Sequence, residues 1–299
     1  MISSDQIISA GKTNKSNGGL NSVGKLAPEH TLSLLAYDPR ALRSDISSNI
    51  RSATTLLLDD QERSLYIIRS QSTATWLGNE RSAILVVNGG SPRLQRHTST
   101  SFVCARLLAS LNHIRHDQAE RVRKHILGIH FLCGEHSDSD DIGDSPVGVI
   151  RSLLAQLMSH CKDIDMEDEL QLCRPASEDL RTLCKCFEEI MSLLPAETTI
   201  FIIIDNLSLY VDDRYMNKDA ERLVRWFICL LRSQQERQGR SRRVLTLKLA
   251  LTAPVRFHGI ESDWLGAGEE LNVPERMPKT GGFTEAKWEY NVESQLRSQ

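Results

Sequence analysis

Thr199-Ile-Phe-Ile-Ile-Ile-Asp205 is apolar at every position between its polar ends. A strand that faces water on one side alternates apolar with polar residues. One that is apolar throughout is buried on both faces, as at the centre of a parallel sheet. Three other runs have the same character. Ala83–Val87 stops sharply at Asn88-Gly89-Gly90, Ile126–Leu132 follows, and Leu245–Leu251 comes after the central run. A short edge strand is expected around Glu270–Val273.

Helical patterns separate these runs. The hydroxyl cluster Thr98 to Ser101 opens a helix with Phe102, Val103, Ala105, Leu107, Leu108, Leu111 and Ile114 on its apolar side, and its hydroxyls suit the first-turn amides. Pro146 starts another helix, faced by Val149, Ile150, Leu153, Leu154, Leu157 and Met158. Ser177 and Asp179 cap a third, through Leu180, Leu183, Phe187, Ile190 and Leu194, ended by Pro195. Asp219 to Gln234 carries Leu223, Trp226, Phe227, Leu230 and Leu231. Upstream, Ile46, Ile50, Ala53 and Leu57 recur at helical spacing within 39–70, and Trp76-Leu77 anchors the approach to the first strand. This alternation predicts an α/β fold, a mainly parallel sheet with helices on both faces, preceded by a helical lead-in. The expected division is a disordered leader over 1–35, a helical lead-in over 36–80, the α/β domain over 81–275 and a tail over 276–299.

Composition narrows the function classes. A chain of 299 residues can bury one sizeable core. A formal charge of -3 gives no pull toward nucleic acid or anionic membrane. The purest apolar run, Ile200–Ile204, falls far short of the roughly 20 residues that span a bilayer. Seven cysteines set in apolar patterns suit reduced, buried thiols and a cytoplasmic location. Arg237, Arg240, Arg242 and Arg243 read as a solvated basic loop after a helix, without the aromatics that stack on bases. Metal-ligand spacing is poor: Ile142 and Val149 stand where an EF-hand loop beginning at Asp138 and Asp140 needs ligands, and of the evenly spaced His130, Cys133 and His136 the first two lie on or near a strand. Cys184 and Cys186, two apart, point to different sides of their helix.

Four features, in this order and spacing, carry a family resemblance: Trp76-Leu77 ahead of a strand and a Gly-Gly turn; Val149-Ile-Arg-Ser-Leu-Leu-Ala-Gln-Leu-Met158; Ile202-Ile-Ile-Asp205-Asn-Leu207; and Leu249-Ala-Leu-Thr252-Ala-Pro254. The block from about 70 to 260 resembles the NACHT-like, nephrocystin-type N-terminal NTPase module of the STAND class, a form abundant in fungi. The resemblance implies a P-loop NTPase-like sheet, a Walker B strand ending at Asp205, and a sensor strand ending at Thr252.

The chemistry expected of that fold is incomplete in these residues. A phosphate loop needs G-x-x-x-x-G-K-[ST], where glycines let backbone amides wrap the phosphates and the lysine bridges them. The corresponding stretch, Gly89-Gly-Ser-Pro-Arg-Leu-Gln-Arg-His-Thr-Ser-Thr-Ser101, lacks the second glycine and the lysine, and Pro92 removes an amide donor. Two nearer matches, at Gly11-Lys12-Thr13 and Gly19 to Lys25, follow no strand and open no helix. Asp205, at the tip of a buried strand, is the candidate magnesium partner, but Asn206 and Ser208 stand where a second acid would polarise water. The expectation is a degenerate STAND-type pseudo-NTPase. It would act in protein interaction or as a signalling scaffold, with protein partners or self-association, no nucleic acid, no membrane, no catalytic residues and no cofactor. The alternative is a weak ATP- or GTP-binding NTPase. It would use Gly89, Gly90, Arg96, Ser99, Thr100, Asp205 and Thr252, with magnesium at Asp205.

Overall fold

The computed structural model describes residues 32–91, 97–118, 125–137, 144–161, 179–211, 213, 216–241, 244–257, 260 and 262–297. The leader up to residue 31, both of its Gly-Lys stretches, Pro92 to Arg96, the core of the acidic loop at 138–143, Ser177, Asp212, Arg242 and Arg243 lie outside that set.

The lead-in carries α1 (Pro39–Ser52), α2 (Leu58–Arg69) and α3 (Gln71–Gly78). Asp38 and Ser70 cap the first and third by accepting first-turn amides. Strand β1 (Ala83–Asn88) leads to α4 (Ser99–Gln118), then β2 (His125–Leu132), α5 (Pro146–His160) and α6 (Leu180–Ser192). Strand β3 (Thr198–Asp205), the short α7 (Ser208–Val211), the long α8 (Asn217–Arg240), β4 (Thr246–Ala253) and β5 (Glu270–Asn272) complete the domain.

The five strands form one parallel sheet in the order β2-β3-β4-β1-β5. Every connection is therefore a crossover, and helices must cover both faces. Alternate residues divide between two cores. Ile84 and Val86 of β1, Ile200, Ile202 and Ile204 of β3, and Leu247, Leu249 and Leu251 of β4 pack with α5, α6 and α8. Leu85, Val87, Phe201, Ile203 and Ala250 pack with α2, α3 and α4. The expected α/β architecture is thus present. Trp76 does anchor the entry to β1: its Nε1 donates to Ala83 O at 3.2 Å and its ring meets Phe201 edge-on at 5.7 Å.

Three expectations change. The leader does not extend to residue 35, because Leu35 is buried at 3% exposure and joins the α5 side of the core. Arg237 and Arg240 belong to α8 itself, which runs six residues beyond Gln234. The expected tail carries helical structure in its described residues. Helix α9 (Glu285–Trp288) passes through a π turn (Glu289–Glu293) into α10 (Ser294–Leu296), and Trp288, Val292 and Leu296 are buried against α2, α3 and α4. Those three residues recur every four positions, so they line one face of a helix. Among the described residues, no helix is long and apolar enough to cross a membrane.

Candidate functional site

Because every strand is parallel, the ends of β1, β3 and β4 lie on one edge of the sheet, where ligands of open α/β folds bind. The first turn of the loop after β1 is fixed tightly. Gly89 N–H donates to Ala253 O at 2.8 Å and Ser91 N–H to Pro254 O at 2.7 Å. A β-carbon at Gly89 would lie 2.9 Å from Thr100 Cγ2. Gly90 has φ of 62°, and a β-carbon there would lie 2.2 Å from Val273 O. The two glycines therefore let the backbone thread between β4 and the chain after β5. Asn88 closes the same turn: its Nδ2 donates to Glu270 Oε1 and Asn272 Oδ1, and its Oδ1 accepts from Phe257 N–H.

Where the chain re-enters the described residues, Thr98 caps α4. Its Oγ1 accepts the Ser101 amide at 3.2 Å and lies 2.8 Å from Thr100 Oγ1 and 2.9 Å from Ser101 Oγ. The three hydroxyls that follow fall about 100° apart around the helix. Ser101 is joined to the sheet: its Oγ donates to Asp205 Oδ2 at 2.6 Å. Ser99 Oγ is buried without a hydrogen-bond partner. On the other side, Thr252 Oγ1 donates to Asp205 Oδ1, and Cys104 Sγ lies 3.8 Å from that hydroxyl. Asp205 is 1% exposed. Burial pushes its pKa up, while hydroxyls of Ser101, Thr252 and Thr100 work against that shift. Cys104 is buried beside it, and burial together with the Asp205 charge raises its thiol pKa well above the usual range.

The structure thus gathers Gly89, Thr100, Asp205 and Thr252 at one edge. Arg96 lies outside the described residues, and Arg256 is exposed. Asn206 is fully buried at φ of 60°. Its amide donates to Thr252 O, its Oδ1 accepts from Ser208 Oγ at 3.1 Å, and its Nδ2 has no partner. The residues fit a hydrated magnesium ion poorly. A carboxylate that holds a metal's water must be ionised and within its reach, and here Asp205 is buried, its pKa is raised by that burial, and each of its oxygens already accepts a protein hydroxyl. Buried Lys248 is no substitute for the missing lysine. It lies four residues before Thr252, about 13 Å along the strand, and donates to Trp76 O at 2.8 Å and to Asn79 O.

Two participants escaped the sequence reading. Ser101, which follows the candidate hydroxyls Ser99 and Thr100, is bonded to Asp205. Glu135, in the turn after β2, is the carboxylate whose charge acts on Asp205 through space. The β2–β3 register sets Leu132 opposite Asp205, which brings this turn to the same edge; sequence alone gives no such neighbour. Among the described residues no cluster of three or more His, Cys, Asp or Glu side chains could hold a metal ion.

A family model described as "Nephrocystin 3, N-terminal" matches residues 64–246, more than half of the chain, from within α2 to the first residue of β4. No curated protein and no solved structure gives a significant match.

Proposed function

The chain belongs to the nephrocystin 3 N-terminal family, and from that premise we propose that it is a degenerate NACHT-like module of the STAND class, a cytoplasmic pseudo-NTPase that acts by binding other proteins or itself. One observation carries the reading most. Each carboxylate oxygen of buried Asp205 accepts a protein hydroxyl, from Ser101 on one side and Thr252 on the other, so the Walker B position ties α4, β3 and β4 together. Phosphoryl transfer is chiefly charge neutralisation plus an oriented water. The lysine is missing from the loop, and Asn206 and Ser208 replace the acid. The loss of one oriented donor to developing charge already costs about 100-fold in rate.

The test is turnover. Purified chain with ATP or GTP and Mg²⁺ should release phosphate no faster than buffer. Steady release that Asp205→Ala abolishes would establish an enzyme instead, and release that Asp205→Ala leaves intact would mark a contaminant.

A second reading is weak nucleotide binding without turnover. Ser99 Oγ and Asn206 Nδ2 favour it, as buried polar atoms without partners at or beside this edge. The first amides of α4 add a generic preference for a phosphate group. Thr252 would then be a residue that couples nucleotide to β4.

A further inference from the structure

We propose that α1 is a detachable latch over the phosphate-loop edge, closed by Asn49, Glu135 and His97 and opened by a phosphate-bearing anion at the head of α4. The opening step rests on the nucleotide-binding reading above; the latch itself does not.

The hold of α1 on the body is mostly polar. Of its 14 residues only Ile46 and Asn49 are fully buried. Burial of one isoleucine is a small apolar hold for an element of four turns. Helix α1 packs along α4, and its polar ties lie near the end of α4 where the phosphate loop enters. Asn49 is 1% exposed. Its Nδ2 donates to Glu135 Oε1 at 2.8 Å and its Oδ1 lies 3.2 Å from His97 Nδ1. The same imidazole nitrogen is 3.4 Å from Glu135 Oε1. One turn earlier on α1, Asp45 Oδ2 lies 3.4 Å from His136 Nε2. Three elements therefore meet at Asn49: the lead-in helix, the turn after β2, and the loop that feeds α4.

This junction is placed to respond to an anion. His97 stands two residues before the first residue of α4, and its side chain keeps 34% of its exposure. A phosphate group at the α4 amides attracts the imidazole and repels the Glu135 carboxylate. Both effects pull apart the pair that Asn49 bridges. With that bridge gone, α1 retains Ile46, the half-buried Leu42 and Ile50, the contact of Asp45 with His136, and the bond of its Leu42 backbone to His130.

Hydrogen exchange on the full chain tests this. Asn49→Ala should speed exchange of the 39–52 amides about tenfold or more, as expected for loss of a hydrogen bond to a charged group, with β1 to β4 unchanged. Glu135→Gln should shift the same amides less. ATP or inorganic pyrophosphate without Mg²⁺ should reproduce the Asn49→Ala pattern in wild type and add nothing in His97→Ala. If the 39–52 amides exchange in step with the strands, or do not respond to Asn49→Ala, the latch is wrong. If ATP binds by calorimetry and these amides do not respond, the opening step is wrong. Absence of ATP and pyrophosphate binding overturns the nucleotide reading and the opening step together, while the Asn49→Ala arm still decides the latch.

Discussion

Ser101 Oγ and Asp205 Oδ2 lie 2.6 Å apart, so the first turn of the helix after β1 is bonded to the tip of β3 across the intervening strand. Thr252 makes the matching bond from β4 to the other oxygen. A buried carboxylate with two hydroxyl donors is satisfied in geometry but still pays for desolvation, and its pKa is raised. A raised carboxyl pKa means that the native state holds its proton longer than the unfolded chain. The stability contributed by this group is full below the unfolded pKa and is lost as pH rises through the folded value.

Asp205→Asn should therefore gain on wild type between pH 4 and pH 7, as read from the difference in thermal midpoint at the two values. Asp205→Ala should lose about 1–3 kcal/mol in denaturant unfolding for each hydroxyl stranded at Ser101 and Thr252. An Asn variant that falls behind wild type as pH rises would show that Asp205 is favoured as an anion.

The segment after β5 should be essential for stability. Trp288 is 1% exposed, its Nε1 donates to Ser110 Oγ at 3.1 Å, and Arg106 sits over its ring at 5.5 Å. Glu62 of α2 accepts the amides of Thr280 and Gly282, which ties the approach to this helix down as well. Trp288→Ala should cost about 3–5 kcal/mol in chemical denaturation. Removal of 284–299 should cost at least as much, and a near-wild-type midpoint would mean that the segment is not held in solution.

Much of the fold was legible because it is written in apolar periodicity. The central strand, its neighbours and even the three-residue β5 follow from runs bounded by Gly, Asn and Pro. Where polar contacts extend an element, periodicity is silent. Helix α8 continues past Gln234 because Gln235 Nε2 donates to Ser82 O, and Gln238 accepts the Ser82 amide and donates to Leu245 O. The terminal helix carried a signal in Trp288, Val292 and Leu296, spaced by four behind the Thr284 cap, but these three stood among charged and polar side chains just after a stretch with Pro278, Gly281 and Gly282. Asp205 was legible at a strand tip. Which of four consecutive hydroxyls meets it depends on where α4 begins, and Glu135 reaches the site only through strand register.

Gly90 should tolerate no side chain. Its φ of 62° is unfavourable for any L-residue, and a β-carbon would lie 2.2 Å from Val273 O, which is backbone and cannot swing aside. Val273 is also held by its own N–H bond to Asn88 O. Gly90→Ala should cost about 1–3 kcal/mol for the backbone alone, and more for the displacement. Gly268 has φ of 82° but nothing within 4 Å of its β-position, so Gly268→Ala should show the smaller loss. Equal midpoints for the two variants would rule out the tight packing against Val273.

Lys248 gives the protein a pH dependence of opposite origin. It is fully buried on β4, and burial lowers its ammonium pKa from 10.5 to about 8. Its bonds to Trp76 O and Asn79 O place the charge at the C-terminal end of α3, where carbonyls lack helical partners and a cation is favourable. Those bonds do not offset the burial. The folded pKa lies below the unfolded one, so between about pH 8 and 10.5 the unfolded chain binds a proton that the native state has released. Stability from this group therefore rises with pH across that window. The upper bound is about 3 kcal/mol, at 1.36 kcal/mol per unit. Lys248→Met keeps most of the volume and removes the titration. The free energy of unfolding of wild type minus that of Lys248→Met should increase from pH 7.5 to pH 10, measured by urea denaturation at each value. A difference that stays flat would mean that Lys248 titrates normally. A difference that falls would mean that the two carbonyls hold the ammonium more tightly than water does.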